Sequence, residues 1–409
     1  MTYYSSRLVW SDTQDGAILS PGFFNSNRLA IGSNGSSLSM FVASGAGVYY
    51  APYASHSRKA KCPTENGVAD EGTDLGGENI RALNRECRAQ QGAFEKTSNT
   101  NVDFCLDRVE IQSLMQQYDS IHHRNILYAI GTAGLAIAMD VTEIGDNFKS
   151  VLENQKEGSI SLSKLSYPKH RSHLLVPPSF RIPNLTRWSG ISCHSTQPSR
   201  CCTARYIDKL VCLYDKDVLL NFFHTVHSPT QLRLISPNLL AITEQHILSL
   251  WDLRISTTSP QGASTDSEST RREACVQRLR VENGKTLWAM DVADEPIIGV
   301  GGQGRCVFIF DLRRSGPIAT WDHCVKYELT HLKFSQQNPS ILSIAGADRE
   351  LICGKWERRR QALTCHERHI RSMDKWTGMA ASPLTDSIFA LTMQGELYEI
   401  ENVSNWLEE

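Results

Sequence analysis

The stretch LLAITEQHILSLWDLR, residues Leu239 to Arg254, holds two short apolar runs joined by a polar turn and closes on Trp-Asp-Leu-Arg. Similar endings recur along the chain. CVFIFDLR ends at Arg313, LVCLYD at Asp215, LAIAMD at Asp140, LICGKWE at Glu357 and LYEIE at Glu401. Each is a strand-like run that meets a bulky residue and then an acid. Tyr214 to Trp251 is 37 residues, Phe310 to Trp356 is 46 and Trp356 to Ile400 is 44. Trp251 to Phe310 is 59, of which 18 belong to a Ser/Thr-rich stretch at 256–273. A period of about 40–45 residues is that of a four-stranded propeller blade. It takes precedence over the two or three domains that a length of 409 would otherwise suggest.

Strands fall in order within the period. After Phe310 come GPIATWDH, LTHLKFS, ILSIAGAD and LICGKWE, separated by turn residues and rich in β-branched and aromatic side chains. From about Trp188 to Ile400, the dipeptides Tyr214-Asp215, Trp251-Asp252, Phe310-Asp311 and Trp356-Glu357, with Asp140 closing an earlier run, resemble the WD40 β-propeller family. The resemblance implies an all-β fold, a seven-bladed WD40-type β-propeller forming one domain over 1–409, with those nine residues as structural repeat positions. The blades are expected at 29–42, 126–140, 201–215, 239–252, 297–311, 341–357 and 387–400. The last lacks a fourth strand, and RLVW (Arg7 to Trp10) has no neighbour at the other end. Pairing the two would close the ring and cover both sheet edges. The Gly-His pair that usually opens a repeat is missing, so the hydrogen-bonded network inside each blade is expected to be incomplete. Three long insertions, at 52–102, 145–176 and 256–273, are expected as surface loops. The third has nine Ser or Thr in 18 residues and cannot bury enough to fold alone.

A net charge of −2 leaves no basic footprint of the kind a dedicated nucleic-acid binder carries. ILYAIGTAGLAIAM (Ile126 to Met139) is too short to cross a bilayer and is broken by two glycines, which argues against membrane insertion. The N-terminus MTYYSSRLVWSD has neither the basic start nor the apolar core of a signal peptide, so the chain is not read as secreted and its 12 cysteines are read as thiols. In CHERH, the spacing of Cys365, His366 and His369 does not suit a structural zinc site, and no Cys-x-x-Cys supplies a second half. The adjacent Cys201 and Cys202 point to opposite faces of a strand and are read as packing residues. GVGGQGRC (Gly299 to Cys306) leads into a strand, whereas a phosphate loop must lead into a helix. No Gly-x-Ser-x-Gly elbow appears. The sequence therefore calls for no cofactor, metal, small-molecule substrate or catalysis. What remains is a basic cluster, Lys355, Arg358, Arg359 and Arg360, with Arg313 and Arg314 in the corresponding place one blade earlier. Arginine forks there suit an acidic partner peptide.

Two narrower resemblances concern the partner. PNLLAITEQHILSLWDLR, IIGVGGQGRCVFIFDLRRSGPIATWDH, LTHLKFSQQNPSILSIAGADRELICGKW and FALTMQGELYEI are similar in order and spacing to the small β-propeller nucleoporin family of the nuclear pore's Y-shaped scaffold. This implies a non-enzymatic docking subunit in a multi-subunit assembly at the nucleus or nuclear envelope, with the cytoplasm as the other compartment. Alternatively, Trp251-Asp252-x-Arg254 and Phe310-Asp311-x-Arg313 look like the box by which substrate receptors of cullin-4 ubiquitin ligases meet their adaptor.

Overall fold

The computed structural model describes residues 6–10, 27–34, 37–44, 47–53, 111–119, 122–131, 136–142, 163–164, 172–175, 189–216, 218–255, 274–281, 284–293, 296–357, 369–401 and 403–406. Most of the three expected insertions (54–102, the greater part of 145–176, and 256–273) lies outside the described residues, as do Arg358, Arg359, Arg360, Cys365 and His366.

The chain opens with β1 (Ser6–Trp10), then makes the meander β2 (Leu29–Asn34), β3 (Ser37–Ser44) and β4 (Gly47–Tyr53). A second meander follows, β5 (Ile111–Asp119), β6 (Arg124–Gly131) and β7 (Ala136–Asp140). Next come β8 (Ser163–Lys164) and β9 (Ser172–Leu175). They pair backwards: β8 completes the sheet of β2–β4, and β9 completes the sheet of β5–β7. Part of 145–176, expected as a loop, thus supplies the outer strands of two sheets. Runs of two and four residues are too short to show a strand period in sequence.

Beyond this point the topology is simple. One sheet holds β10 (Ser189–His194), β11 (Gln197–Arg205), β12 (Leu210–Asp215) and β13 (Val218–His224). The next holds β14 (Pro229–Ser236), β15 (Leu239–Glu244), β16 (Ile247–Asp252) and β17 (Cys275–Arg280). Then come β18 (Leu287–Val292), β19 (Ile297–Gly302), β20 (Val307–Asp311) and β21 (Pro317–Trp321). They are followed by β22 (Leu329–Phe334), β23 (Ile341–Gly346), β24 (Glu350–Lys355) and β25 (His369–Arg371). Finally β26 (Trp376–Ala381), β27 (Ile388–Thr392) and β28 (Leu397–Ile400) take β1 as their fourth strand, with Ser6 opposite Ile400. The first strands of the meanders meet in cyclic order, β2, β5, β10, β14, β18, β22, β26 and back to β2. The result is an all-β propeller. The seven-bladed expectation is corrected accordingly: six blades take all their strands from between Leu29 and Arg371, two of them completed out of order by β8 and β9, and one closing four-stranded sheet is shared between the two chain ends. That sheet needs both ends because only β1 covers the edge of β28.

The core lies between sheets. Cys202, Leu213 and Phe223 of one blade pack with Leu232, Ile242 and Trp251 of the next. On the opposite face, Cys201 and Tyr214 pack with Tyr128 and Ala138 of the preceding blade. The two adjacent cysteines therefore serve two different interfaces, as strand alternation requires. Because both faces are covered, middle strands such as β19, β23 and β27 are buried almost throughout, and an outer strand such as β17 alternates.

The repeat is also written in backbone geometry. Pairing in the first strand slips one residue around Thr230, Trp288, Thr330 and Thr377 in four successive sheets. Three of those bulged residues are threonines, whose hydroxyls donate to carbonyls of the next strand at Thr243, Ala345 and Leu391. The turn after the second strand carries a left-handed residue in five sheets: Lys209, Gln245, Arg305, Arg349 and Gly395.

Candidate interaction surfaces

Four of the acids, Asp140, Asp215, Asp252 and Asp311, end a third strand. Asp140 Oδ1 accepts the amide of Thr142 at 3.0 Å, Asp252 Oδ1 that of Arg254 at 3.0 Å, and Asp311 Oδ1 that of Arg313 at 3.0 Å. These are Asx turns, in which a short carboxylate replaces the next strand residue as hydrogen-bond partner. In two blades the arginine folds back on the same acid. Arg254 reaches Asp252 at 2.6 Å and Arg313 reaches Asp311 at 2.7 Å. The Arg313 guanidinium holds the Asp311 carboxyl down at about 2, and Arg254 lowers Asp252 in the same way.

Trp251 is fully buried and stacks on Phe223, their centroids 4.4 Å apart. Its Nε1–H donates to Ser249 Oγ at 2.9 Å, Ser249 donates to Glu244 Oε1, and Glu244 Oε2 accepts the amides of Val226 and His227 at 3.0 and 3.1 Å. This blade's network, expected to be incomplete, is completed by a glutamate and two backbone amides where a Gly-His pair was missing.

Register corrects the reading of Trp356-Glu357. Ile341 lies opposite Lys355 as Ile297 lies opposite Asp311 and Leu239 opposite Asp252. The position of Trp251 is therefore taken by Gly354, and Trp356 lies two residues further on, just past the end of the strand. Trp356 is half-buried, its Nε1–H donating to Pro339 O at 2.8 Å, and Glu357 is exposed. Counting bulky-acid pairs found the nearest tryptophan, but cross-strand pairing decides equivalence.

Of the expected partner-binding residues, Arg313 and Arg314 follow β20 and are exposed, and half-buried Lys355 ends β24 in the neighbouring blade. The structure thus brings Arg313, Arg314 and Lys355 to the same end of adjacent sheets. Arg358, Arg359 and Arg360 lie outside the described residues.

A second concentration of charge escaped the sequence. The first strands of the ring line a central cavity of about 450 Å³. Its charged lining residues are Arg233 on β14, Asp291 on β18 and Lys333 on β22. Asp291 Oδ1 accepts from Arg233 Nε at 3.3 Å and from Lys333 Nζ at 3.0 Å, while Oδ2 accepts the Phe334 amide at 3.1 Å. Burial lowers the Lys333 pKa, and Asp291 beside it pulls it back up. Residues 58 and 42 positions from Asp291 carry no shared sequence signal; the ring alone unites them.

Other candidates are quiet. The hairpin at Gly301–Cys306 joins β19 to β20, and a Cβ on Gly302 would come within 2.2 Å of Thr286 O, so close approach of backbone explains that glycine. Burial raises the Cys212 thiol to about 11 and the Cys353 thiol to about 12, away from nucleophilic use. His369 pairs in β25 opposite Ile352, and among the described residues no group of three or more His, Cys, Asp or Glu could hold a metal ion. Among the described residues no helix is long and apolar enough to cross a membrane.

No protein-family model matches the chain, and no curated protein matches it. Solved structures do. The crystal structure of Chaetomium thermophilum Raptor superposes with a TM-score of 0.53 at 8% identity, over 93% of this chain and 30% of that one. This chain thus spans under a third of the Raptor chain. A chain of the mitotic checkpoint complex crystal structure gives a TM-score of 0.55 at 11% identity, over 98% of this chain and 93% of that one. At such identities the likeness is one of fold alone, a β-propeller.

Proposed function

We propose that the chain is a non-enzymatic propeller scaffold that docks other proteins in a multi-subunit assembly. The observation that carries this reading is the basic end of two adjacent blades, where Arg314 and Lys355 gather beside the Arg313–Asp311 pair on a rigid sheet framework. Arg358, Arg359 and Arg360 follow directly in sequence. Such a rim suits an acidic segment of a partner, since guanidinium forks take carboxylates in two-pronged fashion.

The specific reading is a structural subunit of the nuclear pore's Y-shaped scaffold, at the nucleus or nuclear envelope. It is supported by the collinear order of motifs from Pro237 to Ile400. The alternative, a cullin-4 substrate receptor, is supported by the paired Trp-Asp-x-Arg-like boxes. Against it, Arg254 and Arg313 both spend their guanidinium groups on their own Asp252 and Asp311. Affinity purification of the tagged chain separates the readings: nucleoporins in the eluate support the first, and cullin with its adaptor the second. A double variant, Arg314→Glu with Arg359→Glu, should lose the partner at an unchanged melting temperature, because exposed charges are worth about 0–1 kcal/mol. Retention of the partner by that variant would remove the basic rim from the proposal.

A further inference from the structure

The central cavity carries an unbalanced charge. Two cations, Arg233 and Lys333, share one carboxylate, Asp291, and those three are the charged residues among the ones that line it. Their side chains are largely withdrawn from solvent, at 16%, 18% and 14% exposure respectively. Asp291 accepts three hydrogen bonds, with Oδ1 shared by both cations and Oδ2 taking the Phe334 amide. Lys333 gives one N–H to Asp291, and an ammonium has three donors. In so confined a place, charge is screened far less than at the surface, and an excess cation attracts an anion strongly. Neutral polar side chains, including Ser192 and Gln336, line the same cavity and add donors at no cost in charge.

We propose that the central channel binds a small oxyanion of the phosphate or carboxylate class between Lys333 and Arg233, opposite Asp291. A singly charged anion brings the three-residue cluster to neutrality, and the occupant ties the blades of β14 and β22 together across Asp291 of β18. Its source is either a free ion or the carboxylate of an acidic side chain that a docked segment inserts into the channel. This goes beyond the docking role and does not depend on which partner binds the rim.

The test uses the full-length chain, with inorganic phosphate as the first probe and a short Asp/Glu peptide as the second. Calorimetric titration and thermal melting are run at constant ionic strength, with chloride as control. Phosphate should raise the melting temperature where equimolar chloride does not. Lys333→Met, which keeps chain length and removes the excess charge, should weaken binding at least tenfold, and Lys333→Arg should restore it. Asp291→Asn, which removes the competing carboxylate, should tighten binding, and it keeps the test decisive if Lys333→Met folds poorly. Peptide binding that phosphate displaces assigns the site to an inserted carboxylate; phosphate binding without peptide binding assigns it to the free ion. Absence of any effect beyond chloride, or equal binding by Lys333→Met, or weaker binding by Asp291→Asn, overturns the proposal.

Discussion

The backbone N–H of Met379 donates to Oδ1 of Asn27 at 3.0 Å, joining residues 352 positions apart. Beside it the Arg28 amide donates to Thr377 O at 3.1 Å. Together with the pairing of β1 on β28, these bonds fasten the last sheet to the first. Closure is therefore made by strand edges and first strands alike, at the cost of slow, long-range contacts.

Removing Ser6–Trp10 should destabilise the whole ring, since it bares the β28 edge from Leu397 to Ile400. The expected outcome is a clear drop in melting temperature with light scattering on heating, beyond what a frayed terminus loses. A deletion that melts like the intact chain would show that β1 contributes nothing to closure.

The two tryptophans should separate in mutational cost. Trp251→Ala removes a fully buried ring stacked on Phe223 and should cost about 3–5 kcal/mol. Trp356→Ala, at a half-buried site with a single bond to Pro339 O, should cost about 1–2 kcal/mol. Urea denaturation of both variants measures the difference, and equal losses would contradict the register described above.

Arg349→Gly should stabilise the protein slightly. Arg349 is exposed and held at φ 74°, a left-handed conformation in which a Cβ is strained by about 1–2 kcal/mol, while glycine loses about 0.5–1 kcal/mol more backbone entropy on folding. The corresponding turn of the last sheet already uses Gly395, at φ 84°. Its replacement, Gly395→Val, should destabilise, and the two opposite shifts in melting temperature check the turn geometry.

Asp311→Asn should open a stability gap that depends on pH. The folded pKa, about 2, lies below the roughly 3.9 of a free aspartate, so the charged form stabilises the fold. That contribution is fully present above about pH 4 and is lost as pH falls toward 2. Asparagine keeps the turn's acceptor for the Arg313 amide, so the variant isolates the charge. Denaturation curves from pH 7 to 2 should converge at the acid end, and a gap independent of pH would mean Arg313 does not hold Asp311 in solution.

Much of this architecture is local and could be read from residue order. Apolar runs of strand length, short polar turns and an acid at several third-strand exits have periodicities that a single chain displays by itself, and they fix an all-β repeat fold. The Asp–Arg turn at Asp252 and Asp311 belongs to the same class, because its partners are two residues apart. Equivalence between repeats does not. Gly354, and not Trp356, matches Trp251 because the match is set by which residue faces it across the strand, and a two-residue offset in pairing is invisible in spacing. Likewise β8 and β9 are too short to announce themselves, and become strands because the open edges of β4 and β7 offer them partners. The cluster of Arg233, Asp291 and Lys333 exists only once three blades face one axis. Sequence determined the strands and their turns through short-range chemistry; the ring decided register, closure and the charged channel, because those depend on pairings between residues tens to hundreds of positions apart.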